Sequence, residues 1–162
     1  MTTYEDMPAG SRIWIYQSNR PFTAAQIAAI EPQLSHFATN WVRHGQLLKA
    51  WAGILHSRFI VLMIDEAALA AGGCSIDAST RLLKQIEQQY GVSLFDRLSV
   101  AWRNADAQIV VSSKPDFEQL AAQGIITPQT HVFNNLITTK ADLETNWEIP
   151  LAQSWHSQLV IG

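Results

Sequence analysis

One cysteine, Cys74, in 162 residues leaves no internal disulfide to form and no zinc motif of paired cysteines to write. Charge is scarce as well. Asp, Glu, Lys and Arg make up 15% of the chain against 48% hydrophobic residues, so some apolar surface is expected to be covered by a partner. The net charge of −3, with Lys and Arg scattered rather than clustered, excludes the electrostatic footprint that nucleic-acid binding needs. No apolar run approaches the roughly 20 residues of a membrane span, and the opening MTTYEDMPAGSR lacks the basic and apolar stretches of a secretion signal. The expectation is a soluble, cytoplasmic protein without a cofactor. The five histidines, His36, His44, His56, His131 and His156, show no HxxxH or HExxH spacing, so no metal is expected. Catalytic signatures such as GxSxG and GxGxxG are missing too.

What the chain does have is periodic pattern and tryptophan. Six tryptophans, Trp14, Trp41, Trp51, Trp102, Trp147 and Trp155, serve equally as core fillers and as interface anchors. RIWIYQ (12–17) reads as a strand that ends at the turn-rich SNRP. Thr23 with Gln26 forms a capping-box pattern, and Ile27, Ile30, Leu34, Phe37 and Trp41 then recur at helical spacing as far as Arg43, His44 and Gly45. Pro32 inside that helix predicts a kink or a two-part helix. LLKAWAGIL (47–55) and RFIVLMID (58–65) read as a hairpin turning at His56 and Ser57. ASTRLLKQIEQQYG (78–91) is an amphipathic helix stopped by Gly91, and RLSVAWR (97–103) a fourth strand. QIVVSS (108–113) continues that strand or forms a fifth, followed by a short helix at 115–124 and a weakly patterned strand at 131–138.

This order predicts an α+β fold: a ferredoxin-like β-α-β-β-α-β core over 1–104, with a C-terminal extension, 105–162, packed on the same single domain. The runs 12–17 and 58–65, nearly continuous in apolar residues, are expected to be parallel neighbours at the centre of the sheet. A three-layer α/β sheet with another strand order is the alternative.

If those strands are parallel, their C-terminal ends share one sheet edge. That would bring Ser18, Asn19 and Arg20 close to Asp65, Glu66 and the loop Gly72, Gly73, Cys74, Ser75 and Asp77. Three readings of the loop stay open. Asp77 or Ser75 caps the following helix while Cys74 is a small buried hydrophobe. Alternatively, the glycine-rich turn and helix start bind a small anion with help from Arg20. In the third, the helix start activates Cys74 as a nucleophile or redox sensor, making it the candidate catalytic residue. Asp65 and Glu66 are adjacent on a strand, so alternation sends them to opposite faces and they form no matched acid/base dyad.

The strings SRIWIYQSNRPFT, FATNWVRHGQLLKA, RFIVLMIDE, GCSIDAS, GVSLFDR, HVFNNLITTK and IPLAQSW together resemble a family of small bacterial proteins of about this length that carries the label "ABC transporter ATPase". The resemblance spans nearly the whole chain and implies neither an established activity nor assigned catalytic residues. The label would require a G-x-x-x-x-G-K-[ST] loop to cradle nucleotide phosphates. None of the eight glycines precedes a lysine, so an ABC-type ATPase is not expected. The leading expectation is a non-catalytic binding or interaction module whose partner is another protein or a second copy of the chain. The alternative is a small-anion-binding or cysteine-dependent enzyme or sensor with its site at Gly72–Asp77.

Overall fold

A computed structural model describes residues 2–160 of the chain. They mix helix and sheet, so the fold is α+β, and the chain divides into two compact units. The first runs to Phe95 and takes back the segment Thr138–Ala141; the second holds Asp96–Ile137 and the residues from Asp142 on.

In the first unit β1 (Arg12–Gln17) leads into α1 (Ala24–Thr39). Thr23 Oγ1 accepts from the Gln26 N–H at 3.1 Å and Gln26 Oε1 accepts from the Thr23 N–H at 3.0 Å, the reciprocal capping box expected there. Pro32 is exposed and the helix runs through it as one element, with Ala28, whose carbonyl would have received the missing N–H, also exposed. The helix stops at Thr39, short of the expected 43–45. Trp41 keeps helical spacing only by coincidence, for it precedes a small hairpin of β2 (Val42–Arg43) and β3 (Gln46–Leu47). His44 and Gly45 turn this hairpin with left-handed φ of 50° and 78°, the geometry of the two-residue turns that match strand twist. Arg43 is therefore a strand residue and His44 a turn residue, and neither ends the helix.

β4 (Ala50–Leu55) and β5 (Phe59–Ile64) form the expected antiparallel hairpin. Arg58 N–H closes the turn onto the Leu55 carbonyl at 3.1 Å, with both His56 and Ser57 left-handed. The sheet order is β1-β5-β4. β1 and β5 are neighbours as expected, yet they are antiparallel, not parallel. The reason is the chain path. The helical crossover returns the chain so that β4 runs parallel to β1, and the tight turn then reverses it, so β5, inserted between the two, must oppose both. All six residues of β5 are buried. Ile60, Leu62 and Ile64 share a core with Ile30 and Leu34 of α1 and with Leu83 and Ile86 of α2 (Gly73–Tyr90). Gly91 ends α2 with a left-handed φ of 62°.

Among the described residues no fourth strand of the ferredoxin-like kind joins this sheet. The run expected to do so supplies β6 (Val100–Arg103) of the second unit, whose antiparallel sheet has the order β7-β6-β8-β9, with β7 Ile109–Ser112, β8 His131–Phe133 and β9 Glu148–Pro150. Its core gathers Val100, Trp102 and Val132 around Phe117 of α3 (Lys114–Ala122). A short helix, α4, spans Lys140–Thr145, and two 3-10 turns follow at Leu151–Gln153 and Trp155–Leu159.

The segment Thr138–Ala141 lies along the outer edge of β1: Ile13 N–H donates to Thr138 C=O at 3.0 Å, and Arg12 is bridged to Thr139. Within it Lys140 is buried and donates from Nζ to the carbonyls of Tyr4 (2.9 Å) and Met7 (2.7 Å), 4.3 Å from the centre of the Tyr4 ring. An ammonium held this way cannot be deleted cheaply, because two carbonyls lose a charged donor. Lys140→Ala is expected to lower stability by about 3 kcal/mol in urea melts, whereas Lys114→Ala should change it by less than about 0.5 kcal/mol. The contrast arises because Lys114 is exposed and pairs with an exposed Glu118 at 3.9 Å.

Candidate functional site

The antiparallel sheet takes apart the cluster expected around Cys74. Ser18, Asn19 and Arg20 follow β1 at the end of the sheet where β5 begins, and Ser18 N–H donates to Arg58 C=O at 2.9 Å. Asp65 and Glu66 lie at the other end, where Glu66 meets Arg12 at 3.7 Å and Asp65 meets Lys49 at 3.9 Å. Arg20 donates to the carbonyls of Tyr90 (2.6 Å) and Gly91 (3.1 Å), at the C-terminal end of α2. Residues 72–77 form the N-terminal end of that 18-residue helix, about 27 Å away at 1.5 Å per residue. Asn19 pairs with Ser93 through its backbone N–H and its side-chain oxygen.

The polar groups of the loop itself are engaged with the β2–β3 hairpin. Gly72 is the N-cap, and its N–H donates to Ser75 Oγ at 3.3 Å. The buried Ser75 hydroxyl donates in turn to Val42 C=O at 2.9 Å, while Ser75 C=O receives the Trp41 indole N–H at 2.8 Å. Arg43 Nη1 donates to Ala70 C=O at 3.1 Å and its side chain covers Gly72, where an added Cβ would meet Nε at 3.3 Å. Asp77 is exposed a full turn inside the helix and does not cap it. Cys74 is exposed, not buried. It should therefore react with iodoacetamide in the folded protein within a few-fold of its rate in urea; a thiol that reacts only after unfolding would contradict this placement.

Among the described residues, backbone groups without a strand partner lie elsewhere, on β4. Asp65 N–H donates to Lys49 C=O at 2.9 Å, which makes Lys49 and Asp65 a hydrogen-bonded pair. Bonded and non-bonded pairs alternate in an antiparallel ladder, so Trp51, Gly53 and Leu55 turn their backbone groups toward β5. Ala50, Ala52 and Ile54 turn theirs outward, and no strand among the described residues lies on that side. The corresponding outer edge of β1 is the one paired by Thr138. Along the open edge of β4 runs a groove of about 360 Å³. One wall is α1, with Glu31, Ser35 and Thr39, and the other is the segment Thr2–Glu5; the strand itself, from Ala50 to Ile54, forms the floor.

Three of the five floor residues, Ala50, Ala52 and Gly53, are small. Ala50 and Ala52 belong to the core cluster shared with α1, while Trp51 lies over Gly53 so closely that a Cβ there would fall 2.5 Å from the indole. Tyr4 meets Trp51 edge-on at 5.3 Å and holds the ring in that position. Glycine inside a strand marks a close approach of this kind. Gly53 and the neighbouring Lys49 are the only hints in the sequence that this strand is an edge.

A larger cleft, about 680 Å³, lies within the second unit and is lined by Arg103, His131 and Glu148 of three neighbouring strands. Arg103, His131 and Glu148 are already paired with one another. Glu148 accepts from Arg103 Nε (3.2 Å) and Nη2 (3.0 Å), shares a 3.0 Å hydrogen bond with His131 Nδ1, and Arg103 Nη1 donates to Ala107 C=O at 2.9 Å. Burial opposes ionisation of Glu148, but the hydrogen bonds and charges of Arg103 and His131 prevail and hold its carboxyl below the usual range. This network ties β6, β8 and β9 together. Among the described residues no group of three or more His, Cys, Asp and Glu side chains could hold a metal, and no helix is long and apolar enough to cross a membrane.

Compared with known proteins, the chain matches no family model, no curated protein and no solved structure.

Proposed function

We propose that the protein is a non-catalytic interaction module that takes an extended segment of a partner protein onto the open edge of β4. The observation that carries this reading is the row of outward backbone groups on Ala50, Ala52 and Ile54, set in the floor of a groove. Strand addition satisfies such groups and draws specificity from alternate side chains against the groove walls. The low charge content expected from the sequence suits a surface that is covered in use. The ATPase label contributes nothing here, since no glycine is followed by the lysine that the phosphate loop of an ABC-type ATPase requires.

The test is Ala52→Pro, which removes one outward N–H and sets a ring in the path of an incoming strand. Binding of an alternating Thr/Val peptide, followed by anisotropy, should be lost in this variant while its circular dichroism is unchanged. Equal affinity of the variant and the parent protein would refute strand addition at β4.

A further inference from the structure

We infer that the segment bound on β4 presents a Lys or Arg opposite Ala52, an inference that rests on the strand-addition reading. Residues directly opposite in a ladder share a face of the sheet. Ala52 is on the face that packs with α1, so the residue paired with it, whichever way the new strand runs, projects along the α1 wall. Glu31, Ser35 and Thr39 line that wall. The neighbours on either side of that residue face the opposite wall, where Tyr4, Glu5 and Trp51 stand.

Two carboxylates, Glu5 and Glu31, therefore flank the path of the bound strand, and among the described residues no Lys or Arg lines the groove. Neither carboxylate has an ion-pair partner among the described residues. Ala50 and Ala52 are buried against α1 and keep the groove floor low, so a long aliphatic stem lying above them can bring its charge to Glu31 at the rim. Aromatic rings on the other wall suit an apolar or a cationic neighbour. The same charges argue against a second copy of this chain as the occupant. Pairing β4 with β4 about a two-fold axis would bring two sets of Glu5 and Glu31 together, and like charges across an interface are penalised.

The experiment uses fluorescein-labelled peptides of about nine alternating Thr and Val residues, with Lys or Glu at the centre, titrated against the whole chain at low salt. The Lys peptide should bind at least about tenfold tighter than the Glu peptide, and Glu31→Gln should reduce that preference to about twofold or less. Glu31 is exposed on α1, so this variant leaves the fold intact. Equal binding of the two peptides by the parent protein would overturn the cation preference and leave strand addition standing. No binding of either peptide up to about 1 mM would overturn both. Light scattering on the same samples covers the remaining occupant: a dimer that Ala52→Pro converts to monomer would assign the edge to a second copy and refute the inference.

Discussion

Acidification from pH 7.5 to 5 is expected to cost the fold about 2 kcal/mol through one residue, His156. This imidazole is buried, stacked on Trp155 at 3.9 Å, with Nδ1 2.6 Å from Ser154 Oγ. Burial lowers its pKa from the ordinary 6.5 to about 4. The sign follows from linkage. Above pH 6.5 both the folded and the unfolded chain carry a neutral ring, and its contribution is complete. As pH falls through 6.5 the unfolded chain takes up a proton that the folded chain refuses, so stability drains away until the folded ring also protonates near pH 4. The full shift corresponds to about 3 kcal/mol. Urea melts at pH 7.5, 6 and 5 measure it. In His156→Gln the pH slope over this window should largely vanish, even though the variant starts less stable. An unchanged slope would contradict the assignment. Glu148 does not compete for this window, because its lowered carboxyl supports the fold above the ordinary Glu value and loses that support only as pH falls through a lower one.

The second large effect separates two neighbouring residues given the same substitution. Gly53→Pro is expected to cost more than about 3 kcal/mol, because the Gly53 N–H bonds to β5 and any Cβ there strikes the Trp51 ring. Ala52→Pro should cost clearly less than Gly53→Pro, because the N–H it removes points away from the ladder, so its cost is confined to fitting the ring beside α1, where Ala52 is buried. Urea midpoints for the two variants decide the matter. Equal losses would mean that the assignment of inward and outward residues along β4 is wrong, and with it the open edge.

Most elements of the first unit were legible in the sequence for local reasons. The Thr23–Gln26 capping box, the apolar run 59–64 and Gly91 as a helix stop all depend on near neighbours. What local pattern could not carry was direction and partnership. Trp41 sits at helical spacing from Phe37, yet His44 and Gly45 favour a hairpin, and Trp41 is anchored by Ser75 from another element. The strands β8 and β9 have three residues each, too short for alternation to register. The same limit applied to the site. Gly72–Asp77 attracted notice because cysteine and paired glycines are rare, but its hydrogen bonds are spent on holding α2 against a hairpin. The groove at β4 is defined by outward backbone groups and by walls drawn from two distant segments, which leave almost no local mark on a sequence.

Amide hydrogen exchange on β4 is the most direct measurement of whether its edge is open and receives a strand. In the free protein the N–H groups of Ala50, Ala52 and Ile54 should exchange at least about 100-fold faster than those of Trp51, Gly53 and Leu55. Saturation with the Lys peptide should slow the first set and leave the second nearly unchanged. Outward amides that are already as slow as their neighbours, or that stay fast while the peptide is bound, would contradict the account.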